Sequence, residues 1–240
     1  MKYREDKEIV QIELNKPNSR VDKIIVRNKT RLTRSERLEY NLSDYLEQVL
    51  VGLILGDLHM RRYSPTANTK LVFCQGEGNE RYIKYLYELF KEFISQEIKY
   101  TVVGNESEKG NKPRILINFA TLSLPCFNYY YELFYQNKRK IIPKEILGML
   151  TFISLSFWIM DDGSNTSGGG IRLSTEGFKL EELKLLIIAM RKNLGINPSI
   201  HVKNKDKDQN VIYIKKADVI KIKPKLIPHM HSSMHYKLGL

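Results

Sequence analysis

Two apolar runs that each end in acid constrain this chain more than anything else in it. Ser43 to Leu58 is SDYLEQVLVGLILGDL, and Thr151 to Ser164 is TFISLSFWIMDDGS. In the first, Leu46, Val49, Leu50, Leu53 and Ile54 recur at helical spacing. Ser43 stands where an N-cap belongs, and Asp44 lies in the first turn, where the helix dipole favours negative charge. Gly52 and Gly56 share one helix face and leave room there for a second helix at short range. Thr151 takes the capping position of the second run. Aligned on their ends, Leu50–Leu58 and Leu155–Gly163 match position by position, with Asp57 opposite Asp162 and Phe157 opposite Gly52. A carboxylate at the foot of an almost wholly apolar helix is costly unless something positive meets it. Two such helices packed side by side would bring their acids together. Like charges that close raise one pKa unless a divalent cation lies between them. The plainer alternative is two core helices that each end in a solvated acid.

The segments between and after these runs alternate hairpins with helices. Leu58–Tyr63 and Lys70–Gln75 are predicted strands around a turn at Pro65 and Asn68, and Asn79 is predicted to cap a helix over Glu80–Ile94. The apolar stripe Tyr82, Ile83, Leu86, Leu89, Phe90 and Phe93 reads as core. Glu97–Val103 and Arg114–Phe119 form a second hairpin, and Pro125–Tyr135 a short aromatic helix, whose tyrosines read as packing. In the second half, Pro143 opens a short helix and Gly163–Gly170 reads as a flexible loop. Strand Ile171–Thr175, helix Leu180–Asn193 and strands Ser199–Lys203 and Val211–Lys215 follow. Short hairpins between helices imply antiparallel sheets and an α+β class. The divisions expected are a basic extension over 1–41 and two halves, 42–137 and 138–240.

The chain of 240 residues holds 39 Lys and Arg against 27 Asp and Glu, a net charge of +12. That excess favours a polyanionic partner. Lys23–Arg37 is the most basic stretch, an arm for phosphates or else a solvated short helix. No apolar stretch is long enough to cross a membrane, and Met1–Val10 is too charged for a signal peptide. Cys74 and Cys126 lack metal-ligand spacing and read as reduced, half-buried residues of an intracellular protein. His229, His231 and His235 lack the partners of a zinc site and read as solvated tail residues. There is no GxxxxGKS phosphate loop and no triad context for a serine or cysteine nucleophile. Abundant Lys, Ile, Asn and Tyr hint at an AT-rich organellar genome, mitochondrion before chloroplast.

The paired runs resemble the two motif copies of single-chain, intron-encoded LAGLIDADG homing endonucleases, in the branch whose second copy carries a bulky residue for the first glycine. The resemblance extends from Leu42 to Leu238. It implies a pseudo-two-fold αββαββα repeat, with motif helices at the central interface and antiparallel sheets forming a DNA-binding saddle. Phe157, opposite Gly52, argues against tight backbone contact at that level of the second helix.

Hydrolysing a phosphodiester requires an activated water, neutralised non-bridging oxygens and a stabilised leaving oxygen, which paired divalent ions supply together. Mg²⁺ takes hard oxygen ligands, so Asp57 and Asp162 suit it. The resemblance adds the backbone carbonyls of Gly56 and Asp161 as ligands. It also implies one lysine per half near the metals, Lys140 and Lys237, with Arg139 as an alternative to Lys140. About two or three Mg²⁺ ions shared between the acids are expected, with Mn²⁺ substituting and Ca²⁺ binding with little cleavage. Side chains expected on the DNA face or its rim are Arg61, Lys70, Gln75, Lys112, Arg114, Arg172, Lys203, Lys205 and Lys215. The function expected is a monomeric, site-specific double-strand DNA endonuclease, to which the resemblance adds cleavage that leaves 3′ overhangs. The alternatives are an intron RNA maturase and a non-cleaving DNA-binding regulator of the same fold.

Overall fold

The computed structural model describes residues 32–104 and 113–240. The chain divides into Met1–Thr33, nearly all outside the described residues, and a compact unit, Arg34–Leu240. The basic arm up to residue 31 and Lys112 therefore lie outside the described residues. The unit begins with a short helix α1 (Arg34–Leu38).

The two acid-tipped runs are its central helices, α2 (Asp44–Leu55) and α6 (Phe152–Asp162). Both caps act as expected. The Ser43 hydroxyl accepts from the Leu46 amide at 3.3 Å. Thr151 and Ser154 form a reciprocal capping box, each side chain accepting from the other's backbone N–H at 3.2 and 2.6 Å. Val49 to Leu55 and Ser154 to Met160 are buried without a break. A helix apolar on all sides must be enclosed on all sides.

Each central helix leads into a four-stranded antiparallel sheet. The first holds β1 (His59–Arg61), β2 (Lys70–Gly76), β3 (Lys99–Val103) and β4 (Arg114–Ala120) in the order β1-β2-β4-β3. After a small pair of strands, β5 (Tyr135–Gln136) and β6 (Arg139–Lys140), and helix α5 (Ile146–Met149), the second half repeats the plan. Its strands are β7 (Gly163–Asn165), β8 (Ile171–Leu173), β9 (Ser199–Asn204) and β10 (Gln209–Ile214), ordered β7-β8-β10-β9. The same strand order in both halves bears out the duplicated α+β architecture. Gly163–Asn165 is not the flexible loop expected: it is a strand paired with Ile171–Leu173. Its Gly-Ser-Asn composition carries no strand preference, so the ladder partner alone imposes the conformation.

Helices cover the inner sheet faces. α3 (Glu80–Leu89) packs Tyr82, Ile83 and Leu86 inward, and α4 (Asn128–Phe134) packs Tyr130 and Phe134. α3 stops short of the expected Ile94; a 3-10 turn over Lys91–Phe93 follows, and Ile94 bridges to Thr121. Asn79 does not cap α3 with its side chain; its amide instead donates to Gln75 Oε1 at 2.8 Å. In the second half α7 (Leu180–Ala189) runs on as a π-helical turn, Met190–Leu194, and ends at Gly195 with φ +64, the left-handed closure glycine favours. Helix α8 (Lys216–Leu226) completes the repeat.

Candidate metal and nucleic-acid site

The seam between α2 and α6 sets the site. A Cβ added at Gly52 would lie 2.2 Å from the Ser154 carbonyl oxygen, and one at Gly56 would lie 2.6 Å from Asp161 Oδ2. The two glycines therefore make the room their spacing suggested. Phe157 does not prevent tight contact, contrary to expectation. The backbone that approaches Gly52 belongs to Ser154, and the Phe157 Cβ would itself sit 2.9 Å from an added Cβ.

The close approach brings the acids together. Asp57 is exposed and Asp162 half-buried. Burial and then the Asp57 charge push the Asp162 carboxyl up to about 7, against the opposing pull of Lys140 and Lys237. Among the described residues nothing donates a hydrogen bond to that carboxylate, whereas Asp57 Oδ2 accepts from Gln75 Nε2 at 3.0 Å. Gln75 is itself held by Asn79. Expected on the DNA face or its rim, it lies by period-two alternation opposite to Lys70, on the side that turns towards the acid.

Asp161 occupies the place that Gly56 holds in the other helix. Its Oδ2 accepts the Asp57 backbone N–H at 3.1 Å and its Oδ1 accepts the Tyr82 hydroxyl at 2.8 Å. Burial, then the Asp57 charge, raises its carboxyl to about 8. The aromatic stripe that marked Tyr82 as core was right about the ring, fully buried, and silent about the hydroxyl.

The two lysines close the site symmetrically. Lys140 Nζ donates to the Gly56 carbonyl at 2.7 Å, and Lys237 Nζ to the Asp161 carbonyl at 2.7 Å and to that of Met160. Burial lowers both ammonium pKa values while the neighbouring aspartates raise them. Arg139 is engaged elsewhere, with Glu182 at 2.8 Å. Among the described residues no group of three or more His, Cys, Asp or Glu side chains is placed to hold an ion. The oxygen set here is two carboxylates and two backbone carbonyls. That suits a hard cation which completes its shell with water and phosphate oxygens.

On the sheets, Arg61, Lys70 and Arg114 share the outward face of the first, by the registers Arg61↔Lys70, Cys74↔Asn118 and Gly76↔Leu116. Arg172 stands outward between buried Ile171 and Leu173 on the second. Tyr63 is flanked by Arg61 at 4.5 Å and Lys70 at 5.3 Å. Lys203 lies on that outward face too, but its ammonium is paired with Glu176. Lys205 sits in the β9–β10 turn, and exposed Lys215 precedes α8. Cys74 is exposed on the same outward face, rather than half-buried. The C-terminal histidines are not a solvated tail: the His231 ring lies 5.0 Å from Tyr85, His235 reaches the Met230 carbonyl and His229 faces Tyr45.

Similarity to known proteins agrees with this geometry. A model of the LAGLIDADG DNA endonuclease family matches residues 47–222. The chain is 30% identical over 204 residues to a probable intron-encoded endonuclease 1 of Wickerhamomyces canadensis, covering 82% of this chain and 85% of that protein. It is 27% identical over 208 residues to cytochrome b mRNA maturase bI2 of Debaryomyces hansenii, covering 86% and 79%. The solved structure of the homing endonuclease I-WcaI bound to its DNA recognition sequence is 29% identical, with a TM-score of 0.76 over 84% of this chain and 89% of that one.

Proposed function

Because this chain belongs to the LAGLIDADG DNA endonuclease family, we propose that it is a monomeric, site-specific endonuclease that hydrolyses both strands of a long double-stranded DNA site. The observation that carries the reading is the convergence of Asp57 and Asp162 at one seam, with a lysine on the carbonyl before each of them. The crowding that raises Asp162 is what a cation relieves, so the residues fit a divalent metal such as Mg²⁺. When bound, such ions supply Lewis acidity and a nucleophilic water at neutral pH.

The chain's own groups do the rest. Asp57 and Asp162 provide negative oxygens, one per half, and the Gly56 and Asp161 carbonyls provide neutral ones. Gln75 fixes the rotamer of Asp57, while Lys140 and Lys237 place positive charge to meet the negative charge of a phosphate. Arg61, Lys70, Arg114 and Arg172 meet DNA across the two sheets, in contacts that weaken as salt rises. The halves divide as 42–137 and 138–240, with Lys140 serving the first motif from just past that boundary. Cleavage leaving 3′ overhangs, and a mobile-intron origin in mitochondria, complete the reading.

The test is conversion of supercoiled plasmid bearing the intronless flanking sequence to linear DNA in Mg²⁺ or Mn²⁺, with binding but little cutting in Ca²⁺. Asp57→Asn and Asp162→Asn should each lose cleavage of at least one strand and still bind. Full activity in both variants refutes the assignment. The maturase relative supports a second reading, an RNA-binding splicing cofactor. Unspliced host intron in a strain lacking the protein, rescued by Asp57→Asn, would favour it.

A further inference from the structure

The geometry points to Tyr82 and the Asp161 side chain as a positioning pair by which one half holds the catalytic acid of the other, making the two strand-cutting centres unequal. Three observations carry this. Asp161 belongs to α6, yet its Oδ2 accepts the backbone N–H of Asp57 at the foot of α2. Its Oδ1 is held by the hydroxyl of Tyr82, a fully buried residue of α3 in the first half. Gly56 leaves the space through which the carboxylate passes, since a Cβ there would lie 2.5 Å from the Asp161 Cβ.

Among the described residues the other centre has no counterpart. The residue aligned with Asp161 is Gly56, which has no side chain to offer Asp162. The peptide bearing Asp57 is therefore clamped from across the seam, and the one bearing Asp162 is not. A hydrogen bond to a carboxyl oxygen fixes both distance and direction. Without the Tyr82 hydroxyl, the Asp161 carboxylate keeps one partner and can rotate away from the Asp57 amide. The Tyr82–Asp161 pair thus sets the geometry of the Asp57 centre alone.

The inference rests on the nuclease reading, so the experiment carries one readout that does not. Tyr82→Phe removes the hydroxyl and keeps the ring. Hydrogen–deuterium exchange of the peptide spanning Asp57, in protein without DNA or metal, should quicken in this variant, and that of the peptide spanning Asp162 should not. On a cognate site labelled on each strand, the strand spared by Asp162→Asn should be cut on the order of tenfold more slowly by Tyr82→Phe. The other strand should be cut at the wild-type rate, and affinity in Ca²⁺ should be unchanged. Equal slowing of both strands, or unchanged exchange at Asp57, overturns the proposal. If wild type cuts no DNA, the nuclease reading fails and exchange alone decides the clamp. If Tyr82→Phe does not fold, Asp161→Asn, which retains only one acceptor oxygen, takes its place for the exchange readout alone, and unchanged exchange at the Asp57 peptide overturns the proposal.

Discussion

Gly52→Ala tests how closely the seam is packed. The new methyl carbon would sit 2.2 Å from the Ser154 carbonyl oxygen and 2.9 Å from both the Ser154 carbonyl carbon and the Phe157 Cβ. The nearest atoms are helix backbone, so no side chain can swing aside and the two helices must part by about 1 Å. Overpacking of this kind costs up to about 3 kcal/mol. Alanine's better helix propensity returns about 1 kcal/mol. The net loss is about 2 kcal/mol, which lowers the melting temperature by about 4–8 °C for a chain of this size. Because the same displacement moves Asp57 against Asp162, cleavage should fall by about 100-fold. Gly148→Ala is the matched control: it lies in α5 with nothing within 4 Å of an added Cβ, and should be neutral or slightly stabilising. Thermal melts followed by circular dichroism, with plasmid cleavage on the same samples, decide the matter. A Gly52→Ala protein that melts at or above the wild type and cuts at the wild-type rate refutes the packing account.

Two further outcomes follow from the site's electrostatics. A carboxyl whose native pKa lies above its unfolded value holds its proton more tightly when folded, so between about pH 4 and the native value of about 7 it withdraws stability as pH rises. Asp162→Asn should therefore melt above the metal-free wild type at pH 8 and lose that advantage by pH 5; an advantage independent of pH contradicts the shift. Lys237→Met and Lys140→Met should both abolish most cleavage. Lys237→Met should also cost more stability, about 1–3 kcal/mol, because it leaves the Met160 and Asp161 carbonyls unpaired around a residue only 6% exposed. Equal melting of the two variants goes against that ranking.

What could be read from the residues was what local chemistry dictates. Ser43 and Thr151 mark their helix starts because a hydroxyl at an N-cap has one use there. Glycines four apart mark a close approach because together they leave one stretch of a helix face without side chains. What escaped depends on partners distant in sequence. Gln75 and Lys70 both read as residues of the DNA face or its rim, yet alternation separates them, and only the fold shows the inner position meeting Asp57. Gly163–Asn165 becomes a strand through its neighbour rather than its composition. Tyr82 lay within an aromatic stripe, where a phenol and a benzene ring give the same periodicity. The histidines near the C-terminus resembled a tail because their ring partners, Tyr85 and Tyr45, come from the first half.

The closeness of the central helices is supplied from one side only: glycine on α2 faces a carbonyl and a phenylalanine on α6. A joint of that kind has a left hand and a right hand. Doubling the first helix would leave a void where the Phe157 ring now packs on Tyr85, and doubling the second would press a side-chain carbon against the Phe157 Cβ at 2.9 Å. The two halves are thus committed to each other, and a protein built this way is free to face a target whose own two halves differ.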